Sequence, residues 1–198
     1  MIKFDNLSDE TPYRIFREKY EDSLKANQKI IEAICISSFS SKNKEVNARF
    51  VNLKIIKDKE FIFFSNYESP KSQDFISHDQ ITALIYWNST NVQIRMKAKI
   101  QKTSRDFNIE YFAKRDKKKN ALAVSSNQSN KIDSYENVHA NYEKSLHEDN
   151  LEKCPEYWGG YSFVPYYFEF WEGNVHRINK RTIFKIEGKK WKKYFLSP

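Results

Sequence analysis

Tyr111, Arg115 and Lys119 are spaced by four residues and could form one binding row. If a single helix runs through all three, they lie on one face, because residues four apart are neighbours on a helix. A phenol, a guanidinium and an ammonium in such a row can bind a phosphate dianion through charge-assisted hydrogen bonds. The consecutive lysines 117–119 also fit a solvated basic face, which is the commoner arrangement, so the residues alone leave both interpretations open.

A second group consists of Arg177, Asn179 and Arg181, which alternate with other residues after the aromatic run that ends at Trp171. In a strand these three side chains share a face, and a turn brings Trp171 near them. The group could flank a flat anionic ligand, with the arginines pairing or stacking and the tryptophan forming one wall. A polar strand face beside a core tryptophan is the alternative.

Two further groups contain cations that could hold phosphate. Arg49 and Lys54 are five apart, so in a regular strand they point to opposite faces and contact different groups, unless a bulge intervenes. Phe64 and Ser65 end one predicted strand and Lys71 starts a short predicted helix, where a hydroxyl and an ammonium could bind a phosphate. Exposed strand cations and a helix cap explain the same residues equally well.

The sequence lacks the residue patterns of several other common binding and catalytic sites. The four glycines form neither a dinucleotide fingerprint nor a P-loop, and Cys35 and Cys154 form no C-x-x-C pair. The four histidines have no ligand spacing, and no serine or cysteine has a recognisable base partner. The sequence therefore predicts no disulfide framework, no metal site and no hydrolase.

The composition indicates a globular, basic protein. The 198 residues suit one domain, and 39% hydrophobic with 16% aromatic residues can build a packed core, which excludes disorder as the main state. The net charge of +8 raises a nucleic-acid-binding domain as a distant alternative, weakened because 26 acidic residues are interspersed with the 34 basic ones. No apolar run approaches the roughly 18 residues of a membrane helix, and residues 1–5 lack a signal-peptide stretch. We therefore expect a cytoplasmic protein without a membrane or nucleic-acid partner.

The order of elements predicts an α+β fold. Residues 12–26 form a predicted helix, a short helix follows Pro70, and residues 104–152 have helical spacing interrupted by a polar loop at 125–130. Alternating or apolar runs predict strands at 30–39, 46–56, 60–65, 80–87, 92–101, 161–164, 166–171, 175–184 and 190–195. Strands, then helices, then returning strands favour a mostly antiparallel β-barrel with peripheral helices. We expect a single domain over 1–198, with a flexible segment at 1–11.

Taken together, these segments resemble the pyridoxamine 5′-phosphate oxidase family of flavoproteins. The most specific part is the C-terminal run of YWGG at 157–160, EFWEG at 169–173 and HRINKR at 176–181. The groups described above, together with Gln93 and the pair Gln128-Ser129, fall in the family's order and at its approximate spacing.

The resemblance implies an FMN-binding split β-barrel, a homodimer and FMN in a cleft between the subunits. The positions that match the family's cofactor contacts are Arg49, Phe64, Ser65, Lys71, Gln93, Gln128, Ser129, Trp171 and Arg181. The positions that match its substrate contacts are Lys54, Tyr111, Arg115 and Lys119 for the phosphate, with Arg177 and Asn179 at the pyridine ring as the catalytic pair.

The implied reaction is the oxidation of pyridoxamine or pyridoxine 5′-phosphate to pyridoxal 5′-phosphate, with O2 as acceptor and H2O2 as by-product. The sequence departs from the family pattern at three positions: Asn179 replaces the usual histidine, Lys119 a frequent serine, and Pro70 an arginine. These departures keep open a flavin oxidase of the same fold that acts on another substrate, such as a phenazine precursor.

Overall fold

The computed structural model describes residues 1–126 and 128–198, so Asn127, in the predicted polar loop, lies outside the described residues. In chain order the elements are β1 Lys3–Asp5, α1 Thr11–Lys25, β2 Ala33–Ser40, β3 Glu45–Lys57, β4 Glu60–Asn66, α2 Pro70–Ser77, β5 Gln80–Trp87, β6 Val92–Lys102, α3 Arg105–Lys114, α4 Lys117–Ser125, α5 Tyr135–Glu148, β7 Trp158–Glu172, β8 Lys180–Glu187 and β9 Lys190–Leu196.

Six antiparallel strands close into a barrel in the order β3-β2-β5-β6-β7-β4, with β4 pairing back onto β3. Outside this ring, β1 adds to β3 in parallel, and the β8–β9 hairpin adds to β7. The predicted α+β split barrel with peripheral helices is confirmed.

The barrel is split where β3 and β4 diverge. Among the described residues, β3 pairs with β4 only from Leu53 to Lys57, and the register shifts between Leu53 and Ile55. The first half of β3 pairs with β2 instead, and the end of β4 pairs with β7. An irregularity of this kind bends a strand away from its partner. A cleft therefore opens between the first half of β3 and the end of β4.

Alternation along β6 separates the core from the outer surface. Ile94, Met96 and Ala98 are fully buried, while Lys99 and Gln101 are exposed, which confirms the period-two pattern read from the sequence.

Helix α1 supplies aromatic residues to the same core, since the ring of its Phe16 lies 5.1 Å from Phe61 and 5.7 Å from Trp87. Burying a side chain of this size stabilises the fold by roughly 1.5–3 kcal/mol, so these contacts hold α1 against the barrel.

Part of the N-terminal segment 1–11, for which the sequence predicts flexibility, contributes a short strand to the sheet. Lys3–Asp5 pairs with residues 55–57 of β3, and the backbone N–H of Ile2 donates to the Tyr20 hydroxyl at 3.1 Å. Ile2 is 6% exposed and belongs to the core. One buried isoleucine and an added strand edge thus anchor part of a segment that is otherwise polar, and the flexibility expected over 1–11 stays a prediction.

Two strand boundaries near the C-terminus also differ from the sequence prediction. The two strands expected at 161–164 and 166–171 are one continuous strand, β7, which absorbs Pro165 through a register shift opposite Lys97 and Ala98. The strand expected from residue 175 begins only at Lys180. The segment between Glu172 and Lys180 is a loop, and it carries two of the predicted site residues.

Candidate functional site

The split of the barrel holds a cavity of about 540 Å³. This size lies within the roughly 300–1,000 Å³ of small-molecule sites. Its lining includes the predicted cofactor residues Arg49, Phe64, Ser65, Lys71, Gln128 and Ser129 and the predicted substrate residues Lys54, Tyr111 and Arg115. Residues that are up to 80 positions apart in the sequence thus come together because β3, β4, α2, α3 and the loop after α4 meet at the split.

Arg49 is held in place by groups behind it. Its Nη1 donates to the Ser38 hydroxyl at 2.7 Å and to the Ile36 carbonyl at 3.2 Å. The buried Asp74 accepts a hydrogen bond from Ser38 at 2.8 Å, and its Oδ2 lies 3.8 Å from Arg49 Nη2. These contacts fix one edge of the guanidinium and leave Asp74 as the acidic group that partly balances it.

Arg49 and Lys54 line the same cavity, although a regular strand would send them to opposite faces. The register shift beside Lys54 and the unpaired edge of β3 give both side chains access to the cleft. Lys54 also lies 3.6 Å from Glu32. A bulge in β3, the condition under which both cations could face one cleft, is therefore present.

The positive charge of Lys71 is buried and is only weakly balanced by acidic groups. It is 8% exposed, and its Nζ donates to the Ser69 hydroxyl at 3.0 Å. Burial, followed by repulsion from Arg49, lowers the pKa of Lys71 to about 8. It sits in the first turn of α2, where the helix dipole also favours an anion. Lys71 at the start of α2 and its neighbour Arg49 on β3 thus bring two cations together, and only Arg49 has an ion pair with a carboxylate among the described residues. Such a pair fits the phosphate of a cofactor such as FMN.

An aromatic stack forms the opposite wall of the cavity. The Phe64 ring lies 3.7 Å from the Tyr111 ring at an interplanar angle of 14°, and 5.1 Å from the Trp158 ring at 8°. The Arg115 guanidinium lies over Trp158, 5.2 Å from the ring centroid. Trp158 was not among the predicted site residues, although the YWGG motif that contains it was a usable signal.

Tyr111, Arg115 and Lys119 do not share one helix. Helix α3 ends at Lys114, Arg115 has extended backbone angles, and α4 starts at Lys117. The break occurs because the Asp116 side chain caps α4 by accepting the Lys119 N–H at 3.2 Å. All three residues nevertheless meet with Lys54 around an adjoining cavity of about 280 Å³.

The remaining predicted cofactor residues form a second group on the sheet. Gln93 on β6, Trp171 on β7 and Arg181 on β8 are cross-strand neighbours in one row. Beside them, the carboxylate of Glu169, which is 3% exposed, accepts hydrogen bonds from Arg95 and from Arg181. Burial acts to raise the pKa of Glu169, but these bonds outweigh it and keep that pKa below its usual value. Glu169 therefore stays ionised and fixes Arg181.

Arg177 and Asn179 do not lie on a strand face with Arg181, so that prediction was wrong. Both precede β8, and Arg177 has a left-handed backbone with φ of 60°. The Asn179 side chain accepts the Asn174 N–H at 3.0 Å, and the Arg177 N–H donates to the Asn174 carbonyl at 2.9 Å. These local bonds favour a turn over strand pairing.

The two groups are far apart within one chain. None of the second group lines the cavity in the split. Trp158, beside the cavity, begins β7, and Trp171 lies near its far end, so at about 3.3 Å per residue roughly 40 Å of strand separates them. The second group therefore lies outside the cavity that its own chain forms.

Within the described residues, no three His, Cys, Asp or Glu side chains come together as a metal site, and Cys35 and Cys154 are free thiols. No helix of this part of the chain is long and apolar enough to span a membrane.

Known proteins and a known protein family are similar to this chain in sequence. A family model described as the pyridoxine 5′-phosphate oxidase C-terminal dimerisation region matches residues 158–198. The pyridoxine/pyridoxamine 5′-phosphate oxidase of Colwellia psychrerythraea is 32% identical over 194 residues, which cover 96% of this chain and 88% of that protein.

Solved structures agree on the fold. PhzG from Burkholderia lata, in complex with tetrahydrophenazine-1-carboxylic acid, matches with a TM-score of 0.88 at 21% identity and covers 94% of this chain and 92% of its own. A pyridoxamine 5′-phosphate oxidase-related, FMN-binding protein from Nostoc punctiforme matches with a TM-score of 0.77 at 13% identity, covering 92% and 97%. With a relative 32% identical over nearly its whole length, the chain belongs to the pyridoxine/pyridoxamine 5′-phosphate oxidase family.

Proposed function

We propose that the protein is an FMN-dependent oxidase that converts pyridoxine or pyridoxamine 5′-phosphate to pyridoxal 5′-phosphate. The observation that carries this proposal is the pair of phosphate-compatible clusters in one cleft. Arg49 and Lys71 form the first, and Lys54, Tyr111 and Arg115 form the second. One cavity that offers two separate sets of donors suits a phosphorylated cofactor beside a phosphorylated substrate.

The first cluster would hold the FMN phosphate, with Arg49 and Lys71 supplying charge and Ser65 a hydroxyl. Gln128 and Ser129, on the rim of the same cavity, would contact the rest of the cofactor. When bound, FMN would supply the redox chemistry, as the two-electron carrier between the substrate and O2. The protein's own contribution is to bind and orient the two ligands.

The second cluster would anchor the substrate phosphate. Lys54 and Arg115 bring positive charge, and Tyr111, which carries a hydroxyl, lines the same cavity. Lys119 adds an ammonium at the adjoining cavity. Charge-assisted hydrogen bonds of this kind fix a dianion and thereby set the distance between the substrate ring and the cofactor.

The cleft would be completed by a second copy of the chain in a homodimer. Gln93, Trp171 and Arg181 do not line the cavity of their own chain, so they would serve the cavity of the partner. The loop with Arg177 and Asn179 would bring these two residues to the substrate ring. The match of residues 158–198 to a dimerisation region supports this arrangement.

The low pKa of Lys71 makes FMN binding depend on pH. In the FMN-free fold Lys71 loses its proton near pH 8, whereas phosphate binding requires the charged form. We expect the affinity for FMN to fall above pH 8 by up to about tenfold per pH unit, because binding must then take up one proton. The pKa of Tyr111 is raised by burial, so its hydroxyl stays protonated in this range.

The stability of the FMN-free protein should change in the opposite direction. The folded-state pKa of Lys71 lies below the ordinary value of 10.5, so the contribution of this group to stability increases as pH rises from 8 towards 10.5.

The pH dependence of FMN affinity is measured by the quenching of flavin fluorescence during FMN titrations between pH 7 and 9.5. Lys71→Met is the control that should remove the dependence, and an affinity of the wild type that is constant up to pH 9.5 would contradict the assignment.

A same-fold oxidase with another substrate is the second candidate. Its supporting observation is that the Asn179 side chain already closes the loop through the Asn174 N–H, and so is less available to a pyridine ring. Peroxide production should be measured with phosphorylated vitamers, unphosphorylated vitamers and a tetrahydrophenazine carboxylate, the class of compound bound to PhzG. Turnover of the phosphorylated vitamers alone supports the first proposal, and turnover of the carboxylate alone supports the second. The cytoplasmic location expected from the sequence stays a prediction.

A further inference from the structure

Asn120 is a buried amide directly behind the substrate cluster. It is 1% exposed and lies in the first half of α4, outside every group that the sequence analysis selected. Its Nδ2 donates to the carbonyls of Phe112 and Leu151, both at 2.9 Å. These two bonds tie α4 to the end of α3 and to the segment after α5, so the orientation of the amide is fixed.

The fixed amide holds one edge of Arg115. Arg115 Nη1 donates to the Asn120 Oδ1 at 3.0 Å and to the Lys119 carbonyl at 2.7 Å. Both hydrogens of Nη1 are thereby used. Nε and Nη2 have no hydrogen-bond partner among the described residues, and Arg115 lines the cavity. The guanidinium thus keeps an Nε–Nη2 edge with the fork geometry that pairs with two oxygens of an anion.

We propose that Asn120 is a positioning residue that sets the affinity for phosphorylated substrates through Arg115. This inference rests on the proposed function, because it takes Arg115 as a ligand of the substrate phosphate. Arg115 follows the end of α3 and has no helical backbone to restrict it. Without Asn120, Nη1 keeps only the Lys119 carbonyl as a hydrogen-bond acceptor. Packing over Trp158 remains, but the guanidinium loses one of the two bonds that set its orientation over that ring.

The effect of Asn120 should appear in KM and not in kcat. A guanidinium that samples several orientations binds the dianion less often in the productive geometry, while the bound complex reacts as before. We expect Asn120→Ala to raise KM for pyridoxamine 5′-phosphate about tenfold with kcat nearly unchanged. KM for unphosphorylated pyridoxamine and the affinity for FMN should stay as in the wild type.

Asn108 offers a matched control. It is also a 1% exposed asparagine with three hydrogen bonds to its surroundings, to Tyr67, Thr103 and the Gly160 N–H, and none to Arg115. Asn108→Ala removes a comparable buried amide and should lower the melting temperature without the selective rise in KM. If both variants change KM equally for both substrates, Asn120 has only a structural role.

A double-mutant cycle shows whether Asn120 acts through Arg115. In an Arg115→Ala background, Asn120→Ala should have no further effect on KM, because the group that it positions is gone. An additional tenfold rise there would overturn the proposal. Binding of pyridoxal 5′-phosphate, followed by its absorbance, distinguishes a failure of the proposed function from a failure of the role proposed for Asn120. If the wild type does not bind it, the proposed function fails; if wild type and Asn120→Ala bind it equally, only the role of Asn120 fails.

Discussion

Replacement of Arg115 by alanine should lower kcat/KM for pyridoxamine 5′-phosphate about 10- to 150-fold. The expected size follows from the loss of charge-assisted hydrogen bonds, which are worth roughly 1.5–3 kcal/mol each. The Arg115 guanidinium also lies over Trp158, and that packing is lost with it. The FMN content should not change, since the phosphate of FMN is assigned to the other cluster, Arg49 and Lys71. Steady-state peroxide production with the phosphorylated and unphosphorylated vitamers measures the effect.

Lys118→Ala is the charge control for this experiment. Lys118 is exposed in the first turn of α4 and lines none of the cavities around Arg115, so its removal changes the net charge equally but should leave kcat/KM within about twofold. Lys119→Ser should have an effect between the two, because water can replace part of its contact. An Arg115→Ala protein as active as the wild type would refute the assignment of this cluster to the substrate phosphate.

A mixed dimer of Arg49→Ala and Arg181→Ala chains should regain FMN that neither homodimer holds. Each single substitution removes one cation from every site, which should weaken FMN binding about 10- to 150-fold. In the mixed dimer, the intact cavity of one chain meets the intact sheet face of the other. One of the two sites is then complete, so the FMN content should recover to about half of the wild-type value.

The control mixed dimer combines Arg49→Ala with Lys71→Ala chains. Both substitutions lie in the cavity of their own chain, so neither site is complete and the FMN content should stay low. Purification on two different affinity tags isolates each mixed dimer, and light scattering confirms its mass. Equal FMN contents in the two mixed dimers, or a single-chain mass of 23.7 kDa for the FMN-loaded wild type, would contradict a site shared between chains.

Local sequence patterns were sufficient for elements that carry their own signal. Alternation predicted β6 to within one residue, β5 was correct at both ends, and Pro70 marked the start of α2. The closure of the barrel needed more than local information, because β4 pairs with β7 across about 100 residues. The family resemblance supplied that step, since no periodicity in either strand specifies its partner.

The candidate site was likewise predicted only in part from the sequence. The motif order selected most residues that line the cavity, including Arg49 and Lys71. The break between α3 and α4 was missed because the Asp116 cap competes with continued helix. The turn before β8 was missed because Asn179 bonds to the Asn174 backbone. Both failures involve side chains that satisfy backbone groups locally, a preference that hydrophobic spacing does not report.

The absorbance spectrum of the purified protein tests most directly whether the split of the barrel is an FMN site. We expect the bands of an oxidised flavin, with FMN and not FAD released by acid, because the cluster proposed for the cofactor, Arg49 and Lys71, suits a single phosphate and the chain has no dinucleotide fingerprint. Protein purified without chromophore should take up one FMN per chain on titration. A colourless protein that binds no FMN under these conditions would contradict the account.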